Sequence, residues 1–419
     1  HTSDGRAFLA NDIHLPLTVP NLWYRAALQY DDVNITGITL PGLPLIVAGS
    51  NGSIAWGFTN AQADVLDLVS LVKNPANDQQ YKTRRGSRDF EVRHEVIKIK
   101  NEKDYHVKVR RTVWGPVSPH LLMGNEVTIQ WSVFDPEGVD LDLLNIDQTR
   151  RIDEAMALFN QAGLPVLNVA LADNKGHIAW TLTGKMPDRI NFNGLVSLRS
   201  DDAHAVWNGF KPTDSYPRVV DPPSGILVTA NNRVLSRQHE FVYGHNFGNS
   251  YRAYRISELL QSEEKITAES MYKMQLDAKS EFFEFYRQLA LSVLSANVTQ
   301  SSPALNSVKT AMEDWDGFAN ANSVGFGLLV EFRKKLADTI FSSYLQPCRE
   351  IDKNFKYHWF EMDTPLRLLL MHKMPETLPG KGFFETWDDL VLDALERVTF
   401  KMGMRFPIDN PAKLTWGKT

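Results

Sequence analysis

The spacing of apolar residues changes near residue 250, and this change constrains the fold more than any other feature of the sequence. Before residue 250, short runs alternate between apolar and polar residues, which is the pattern of a half-buried β-strand. Strands are predicted over 52–58, 91–100, 104–115, 126–134, 166–173, 177–184 and 225–232. The second and third of these runs are joined by the polar sequence NEK, so they predict a β-hairpin.

After residue 250, apolar residues recur at the spacing of an amphipathic α-helix. Helices are predicted over 251–261, 267–278, 281–296, 323–345 and 387–402, with a shorter one near 151–162. Thr267 is the expected N-cap of the second helix, because its hydroxyl can accept from a free backbone N–H. Strands followed by helices predict an α+β fold, with a β-rich core over residues 1–250 and a helix-rich remainder over residues 251–419.

Composition excludes several classes of partner. The chain is 43% hydrophobic and 23% charged, with a formal net charge of −5, and its Lys and Arg residues are interleaved with acidic ones. Nucleic acid is therefore not an expected partner. No run of 18 apolar residues occurs, so no membrane-spanning helix is expected. The single cysteine, Cys348, excludes a disulfide within the chain, and the sequence has no HExxH, CxxC, GxSxG or Walker motif.

Four positions are candidates for chemistry, and each also has an ordinary structural explanation. His14, within LANDIHLPL, can be a catalytic residue or a satisfied histidine at a polar strand end. The amides of TANN (229–232) can donate to an oxyanion or form a turn. The carboxylates of DVLD (64–67) can bind Ca²⁺ or lie in a solvated turn. Arg252 can clamp a carboxylate, orient an amide of the site or simply lie on the surface.

Five segments, in this order along the chain, resemble the penicillin acylase family of N-terminal-nucleophile hydrolases. They are LANDIHLPL, LPGLPLIVAGSNGSIAWGFTNAQADVLDL, LNVALADNKGHIAW, VTANNRV and SYRAYRI. The family includes penicillin, cephalosporin and acyl-homoserine-lactone acylases, and the resemblance covers at least residues 8–260. It implies the four-layer αββα sandwich of these hydrolases and an enzyme that cleaves an acyl amide.

The resemblance also implies a precursor that cuts itself into an α chain and a β chain. The β chain begins with a Ser whose hydroxyl is the nucleophile and whose own α-amine, with a pKa near ~8, is the base. This Ser is expected upstream of His1, so neither Thr2 nor Ser3 is assigned as the nucleophile. Family members also continue beyond LTWGKT. The chain is therefore expected to be a β-chain fragment that pairs with the α chain and is inactive by itself.

Four residues receive roles in the reaction from the resemblance. His14 would lie beside the hydroxyl of the nucleophile and help to hold it. The backbone N–H of Asn60 and the side-chain amide of Asn231 would donate to the oxyanion of the tetrahedral intermediate. Arg252 would support the amide of Asn231. No cofactor is implied for this chemistry, and a small acyl amide is the expected substrate.

Part of a structural calcium site is also implied. Asp64, the carbonyl group of Leu66 and Asp67 match part of the Ca²⁺ site of penicillin G acylase. The other ligands of that site cannot be located in this sequence, and a solvated turn is the alternative for this segment. The resemblance further implies a periplasmic or secreted protein.

The predicted substrate depends on residues that would line the acyl pocket. His14 and Leu15 stand where penicillin G acylase has Gln and an aromatic residue, which favours the cephalosporin, aculeacin and lactone acylase branch. Leu15, Trp23 and Ala48 would face the acyl group, and their apolar character suits a fatty acyl chain; the alternative is that they are core. An N-acyl-homoserine lactone or another aliphatic acyl amide is the first choice. Penicillin or cephalosporin acylase activity, or a non-catalytic relative that kept the fold, is the alternative.

Overall fold

The computed structural model describes residues 2–16, 18–202, 204, 206–296, 302–356, 362–380, 382–405 and 415–418. The chain divides into two compact units, His1–Gln275 and Leu276–Thr419. Within the described residues, every named strand belongs to the first unit and the second unit is helical. The first unit also contains the helices that begin at Tyr251 and Ala268, so it extends beyond the predicted β-rich range of 1–250. Helices and strands together make the α+β class that the change of period predicts.

The first unit is built on short strands. Its strands in the described residues are β1 (Tyr24–Tyr30), β2 (Val33–Thr39), β3 (Ala48–Ser50), β4 (Ile54–Asn60), β5 (Leu66–Ser70), β6 (Lys73–Asn74), β7 (Asn77–Thr83), β8 (Gly86–Asp89), β9 (Glu91–Ile97), β10 (Tyr105–Arg111), β11 (Val127–Trp131), β12 (Leu167–Asp173), β13 (Ile178–Leu182), β14 (Pro187–Ile190), β15 (Leu198–Arg199), β16 (Val206–Phe210) and β17 (Arg218–Val220). The largest sheet has the strand order β1-β2-β3-β4-β12-β13-β17, and all of its neighbouring strands are antiparallel.

Both faces of this seven-stranded sheet carry buried apolar side chains. Ala179 and Trp180 are adjacent on β13, so their side chains point to opposite faces, and each is fully buried in a different apolar cluster. The helix α1 (Ile152–Gln161) packs on β12 and β13, with Phe159 edge-on to Phe58 at 5.5 Å between ring centroids. Burial on both faces explains why β12 and β13 read as nearly continuous apolar runs rather than strict alternations.

The other sheets of the first unit are small. β9 and β10 form the predicted antiparallel hairpin, and β5 lies between β11, which is antiparallel to it, and β15, which is parallel. β14 pairs with β16, and β6, β7 and β8 form a three-stranded sheet. Two helices follow, α2 (Tyr251–Ser262) and α3 (Ala268–Gln275). Thr267 caps α3 as predicted, since its hydroxyl accepts from the Ser270 N–H at 3.0 Å.

The second unit is a helical cluster around one apolar core. Its α-helices in the described residues are α4 (Glu284–Ala296), α5 (Pro303–Glu313), α6 (Val324–Tyr344), α7 (Gln346–Ile351), α8 (Asp363–His372) and α9 (Trp387–Arg405). The core gathers fully buried side chains from five of these helices, among them Leu329, Phe332 and Leu395. Ser302 and Ser323 cap α5 and α6 with their hydroxyl groups.

Two kinds of difference from the sequence-based expectations stand out. Residues 225–232 were predicted as a strand, but this is wrong because the segment has no ladder partner. Side-chain hydrogen bonds, instead of backbone ones, join this segment to β4. The Thr59 hydroxyl donates to the Thr229 hydroxyl at 2.8 Å, and the Asn231 side chain donates to a backbone carbonyl group of β4. The helices α5, α7 and α8 were missed, since they have only 11, 6 and 10 residues and a short helix gives a weak periodic signal.

The turn between β12 and β13 carries an exposed ion pair whose contribution depends on pH. His177 Nδ1 lies 2.7 Å from Asp221 Oδ2, and this hydrogen bond, aided by Asp173, raises the pKa of His177 above its usual value. The pKa of Asp221 is lowered, first by the Ile178 N–H and then by His177. The charged pair thus stabilises the fold above the usual Asp pKa and below the usual His pKa, and its contribution disappears as pH rises through the raised pKa of His177.

We therefore expect His177→Gln to lower the melting temperature (Tm) near pH 5.5 by about one to two degrees, and to have a smaller effect near pH 8.5. His106→Gln, at an exposed position of β10, is the matched control and should shift Tm equally at both pH values. Thermal unfolding at the two pH values measures both variants. Equal losses of Tm for His177→Gln at the two pH values would show that the pair contributes nothing through its charge.

Candidate active site

Two asparagines that are 171 residues apart in the chain meet at the end of β4. Asn60 is the last residue of β4 and is paired with Leu167 of β12. The side-chain amide of Asn231 donates to the backbone carbonyl of Asn60, with 3.0 Å between Nδ2 and O. The structure therefore brings together the two residues that were predicted to donate to an oxyanion.

Arg252 fixes the orientation of the Asn231 amide. Arg252 is the second residue of α2, and its Nη2 donates to Asn231 Oδ1 at 2.7 Å. A guanidinium has only donors, so it must face the amide oxygen, and the NH₂ group then points away from it. The Asn60 carbonyl, which is only an acceptor, selects the same orientation from the other side. The two contacts agree on the direction in which the NH₂ group points.

The backbone at Asn231 is also specific for its residue type. Its φ is +64°, the left-handed region that Asn tolerates better than most residues, and its carbonyl accepts from the Gly248 N–H at 2.8 Å. The neighbouring Asn232 uses its side chain locally, accepting from the Ala230 N–H and donating to the Arg233 carbonyl, each at 3.0 Å. Of the two amides of TANN, that of Asn231 is thus the one that faces β4.

A buried polar network lies behind this pair of asparagines, and the sequence analysis did not find it. The Trp180 indole N–H donates to Asn168 Oδ1 at 3.1 Å, and Asn168 Nδ2 donates to the Thr59 hydroxyl at 3.1 Å. The Thr59 hydroxyl in turn donates to the Thr229 hydroxyl at 2.8 Å, so the network connects the end of β4 to the segment that carries Asn231. The available signal was a polar residue in the middle of an apolar strand, Asn168 in LNVALAD.

The segment LANDIHLPL is attached to β4 by Asn11. Its side chain accepts from the Phe58 N–H and donates to the Phe58 carbonyl, both at 3.0 Å, as a neighbouring strand would. Gly57 leaves room for this contact, since a Cβ at that position would lie 2.8 Å from Asn11 Oδ1. His14 lies three residues further on, is 69% exposed at its side chain and has Nδ1 3.8 Å from Asp12 Oδ2. Within the described residues no hydrogen bond joins His14 to Asn60 or Asn231, so its role stays a prediction.

The three residues predicted to line an acyl pocket have different environments. Leu15 is 38% exposed, Trp23 is half-buried, and Ala48 is buried on β3. The indole N–H of Trp23 is buried and has no hydrogen-bond partner among the described residues. Ala48 lies in the middle of the large sheet, which fits a core residue as well as a pocket residue. Their common membership of one acyl pocket stays a prediction.

The carboxylates of the acidic segment after β4 form ion pairs with an arginine of another strand. Arg189 of β14 lies with Nη2 3.2 Å from Asp64 Oδ1 and with Nε 2.8 Å from Asp67 Oδ2. Burial raises the pKa of Asp64, and the nearby Arg189 opposes this rise. Leu66, whose carbonyl was the third expected Ca²⁺ ligand, lies on β5 and pairs with Trp131 of β11. In the described part of the chain, no three His, Cys, Asp or Glu side chains are grouped as a metal site requires. Both carboxylates already contact the Arg189 guanidinium, and this arrangement does not fit a Ca²⁺ ion.

The fold can be compared with that of a solved acylase. The structure is similar to that of the thermostable penicillin G acylase from Alcaligenes faecalis, with a TM-score of 0.71 over 95% of this chain and 75% of that chain, at 20% sequence identity. This likeness shows the predicted fold class, the α+β, four-layer αββα sandwich of the N-terminal-nucleophile hydrolases. Within that class, the family model for penicillin amidase matches residues 1–419. The chain belongs to the penicillin amidase family.

Relatives of known name are bacterial acylases of low sequence identity. The acyl-homoserine lactone acylase QuiP of Pseudomonas aeruginosa is 28% identical over 66% of this chain and 34% of its own length. The penicillin acylase 2 proenzyme of Pseudomonas sp. (strain SE83) is 27% identical over 80% of this chain and 43% of its own length. The penicillin G acylase of Escherichia coli is 24% identical over 77% and 38%, respectively. The chain thus spans less than half the length of these relatives. Among the helices that the structure describes, none has the length and apolar character needed to cross a membrane.

Proposed function

We propose that the protein to which this chain contributes is an acylase that hydrolyses a linear acyl amide through an acyl-enzyme. The observation that carries the proposal is the arrangement of Asn60, Asn231 and Arg252. An amide held by an arginine at the end of a strand is a neutral, fixed and directional donor. An NH₂ group has two N–H bonds, so Asn231 can contact the Asn60 carbonyl and still offer the second N–H to a ligand.

The reaction would proceed through two tetrahedral intermediates. The hydroxyl of an N-terminal Ser, upstream of His1, would attack the amide carbon while its own α-amine takes the proton. The carbonyl oxygen becomes an oxyanion, which the Asn60 N–H and the Asn231 side chain would stabilise. Collapse breaks the C–N bond, the leaving amine takes the proton, and water then releases the acid from the Ser. His14 would help to hold the hydroxyl, and no cofactor is needed.

The substrate that we favour is an N-acyl-homoserine lactone or another aliphatic acyl amide. This choice rests on the apolar character of Leu15, Trp23 and Ala48, and on the name of the QuiP relatives, which are acyl-homoserine lactone acylases. Penicillin or cephalosporin acylase activity is the second candidate, because the penicillin acylase 2 proenzyme is 27% identical over 80% of this chain. The proposal includes a mature enzyme in which this chain pairs with an α chain from the same precursor. We expect this enzyme to be periplasmic or secreted.

The proposed chemistry is tested first on the mature protein. Mass spectrometry of the mature β chain should find Ser as its first residue, and the protein with its α chain should hydrolyse acyl amides. Replacing that Ser by Ala should abolish hydrolysis, since Ala has no hydroxyl group to act as the nucleophile. A mature β chain without an N-terminal nucleophile, together with no hydrolysis, would identify a non-catalytic relative that kept the fold.

Acyl specificity gives a second, quantitative prediction. Each buried CH₂ contributes about 0.8 kcal/mol, so two more carbons within the pocket should raise kcat/KM by roughly tenfold until the pocket is full. The measurement is kcat/KM for acyl-homoserine lactones from about four to about twelve carbons, with phenylacetyl and glutaryl amides beside them. A preference for phenylacetyl or glutaryl would move the protein to the penicillin or cephalosporin branch. A flat aliphatic series would make Leu15, Trp23 and Ala48 core residues rather than pocket residues.

A further inference from the structure

An arginine stands between one partly buried and one buried carboxylate in the segment that follows Asn60. Arg189 reaches Asp64 at 3.2 Å and Asp67 at 2.8 Å, each through a different nitrogen of its guanidinium. The side chains of Arg189, Asp64 and Asp67 are only 11%, 24% and 1% exposed, respectively. A charged group that is so well buried requires a partner of opposite charge, so the three side chains depend on one another.

The surroundings of Arg189 are shaped for a guanidinium. Its Cζ lies 5.9 Å from the ring centre of Phe192 and 5.8 Å from that of Trp207, within the range of cation–π contacts. The Trp207 indole N–H donates to the same Asp67 oxygen that Arg189 contacts. Gly194 has a φ of +81°, and a Cβ there would lie 2.5 Å from Asp64 Oδ2 and 3.1 Å from Arg189 Cζ. The backbone thus closes over the ion pair where only glycine fits.

A metal ion does not fit beside this arginine. Ca²⁺ takes six to eight oxygen ligands, whereas the one buried carboxylate oxygen without a hydrogen-bond partner in this cluster, among the described residues, is Asp67 Oδ1. A divalent ion between Asp64 and Asp67 would also lie against the guanidinium, and two cations in contact at a buried position repel strongly. A positive charge that both carboxylates contact is therefore already part of the chain.

The ion pair also holds the backbone that carries Asn60. Residues 61–65 connect Asn60, at the end of β4, to β5, and the two carboxylates stand at the end of this connection. Asp64 is held at a second point, where its N–H donates to the Tyr243 carbonyl at 2.8 Å. Loss of the Arg189 contacts would leave this end of the connection held by fewer contacts, among them the one with the Tyr243 carbonyl. Movement of the connection would displace Asn60, whose distance to Asn231 defines the site.

We propose that Arg189 is a built-in cation that replaces a metal ion in this protein and positions the segment between Asn60 and β5. The stability of the protein is then independent of Ca²⁺, and Arg189 acts on the reaction only through Asn60. The kinetic part of this inference rests on the proposed acylase function, whereas the metal and stability part does not.

The first experiment measures the Tm of the complete, processed protein with Ca²⁺ and with a chelator. The wild-type protein should give the same Tm in both conditions. Arg189→Met should lower Tm by roughly 5–10 °C, because it leaves the buried Asp67 and the partly buried Asp64 without this counter-charge. A Ca²⁺-dependent Tm of the wild type, or an unchanged Tm of Arg189→Met, would overturn the proposal.

Two further variants keep the test decisive if Arg189→Met folds poorly. Arg189→Lys keeps the positive charge but lacks the planar guanidinium that contacts two carboxylates at once. It should fold, its Tm should fall less than that of Arg189→Met, and its Tm should not change with Ca²⁺. A Tm of Arg189→Lys that rises with Ca²⁺ would contradict the built-in cation. Arg199→Met is the matched control, because Arg199 pairs with Asp201 while 66% exposed, and it should leave Tm unchanged.

The positioning role has its own readout in the kinetics of Arg189→Lys. A small displacement of Asn60 should lower kcat on the order of tenfold with little change in KM, because the oxyanion forms only in the transition state. An unchanged kcat alongside a lowered Tm would restrict Arg189 to stability and refute its positioning role. If the wild-type protein has no acylase activity, the proposed function fails while the Ca²⁺ and Tm results still decide the built-in cation.

Discussion

Replacing Asn231 by Gly should lower kcat by roughly 10²–10³ with little change in KM or in stability. The substitution removes one donor to the oxyanion, and this donor acts only in the transition state. Gly is a better choice than Ala because φ at this position is +64°, where a Cβ costs about 1 kcal/mol or more in backbone strain. Steady-state kinetics of the mature enzyme, with thermal unfolding beside it, provide the measurement.

The matched control is Asn101→Gly. Asn101 has a φ of +66° in the exposed turn between β9 and β10, so it reports what the same change does to an asparagine of the same backbone conformation. A companion variant, Arg252→Met, releases the amide oxygen and should lower kcat by a smaller factor, since the amide can then rotate. A normal kcat in Asn231→Gly, together with a normal Tm, would remove Asn231 from the site. Asn232 would be a poor replacement, because its side chain is bonded to its own neighbours.

The sequence predicted best those elements whose apolar residues recur at a regular spacing along the chain. The hairpin of β9 and β10, and helices such as α2, α6 and α9, follow from local periodicity alone. The segment 225–232 looked like a strand because it is apolar and ends in two asparagines. Its conformation is instead decided by contacts with β4, which lies more than 160 residues earlier in the chain. Local patterns carry no information about such a distant partner.

The candidate site shows the same limit more clearly. The spacing of residues alone did not decide whether Asn231 is an oxyanion donor or part of a turn. It also did not decide whether Arg252 belongs to the site or lies on the surface. The resemblance to the penicillin acylases selected among these alternatives, and the structure then brought Asn60, Asn231 and Arg252 into contact. Arg189 went unnoticed, because nothing in KMPDRI marks an arginine whose two carboxylate partners are 122 or more residues away. The sequence pattern revealed the acidic segment DVLD but did not reveal that Arg189 is its counter-charge.

The second unit depends on one buried ionic network that no local pattern reveals. Asp363, the first residue of α8, accepts from the Tyr286 hydroxyl at 2.5 Å and from Arg333 Nε at 2.8 Å, and Arg333 Nη2 binds its second oxygen. Asp363 is only 7% exposed. Burial and the neighbouring Asp363 carboxylate raise the pKa of the Tyr286 hydroxyl, so it remains a donor at all ordinary pH values. Three helices, α4, α6 and α8, are therefore joined through a single carboxylate.

Arg333→Met should lower the free energy of unfolding by about 3–5 kcal/mol, because it leaves the Asp363 carboxylate buried without its counter-charge. Urea denaturation of the complete protein, followed by helical circular dichroism, measures the loss. Arg397→Met is the matched control: Arg397 is 55% exposed and pairs with Asp393 one turn away, so its loss should be below about 1 kcal/mol.

The decisive variant removes the whole network. Combining Arg333→Met with Asp363→Leu and Tyr286→Phe removes all three polar groups of this network, so most of the stability lost in Arg333→Met should return. Such a recovery would show that the single substitution is costly because it strands a buried charge. If the triple variant is as unstable as Arg333→Met, the loss comes instead from packing around Arg333, whose guanidinium also lies 5.7 Å from the ring centre of Phe282. The network would then be a consequence of how the helices pack and not a cause of their stability.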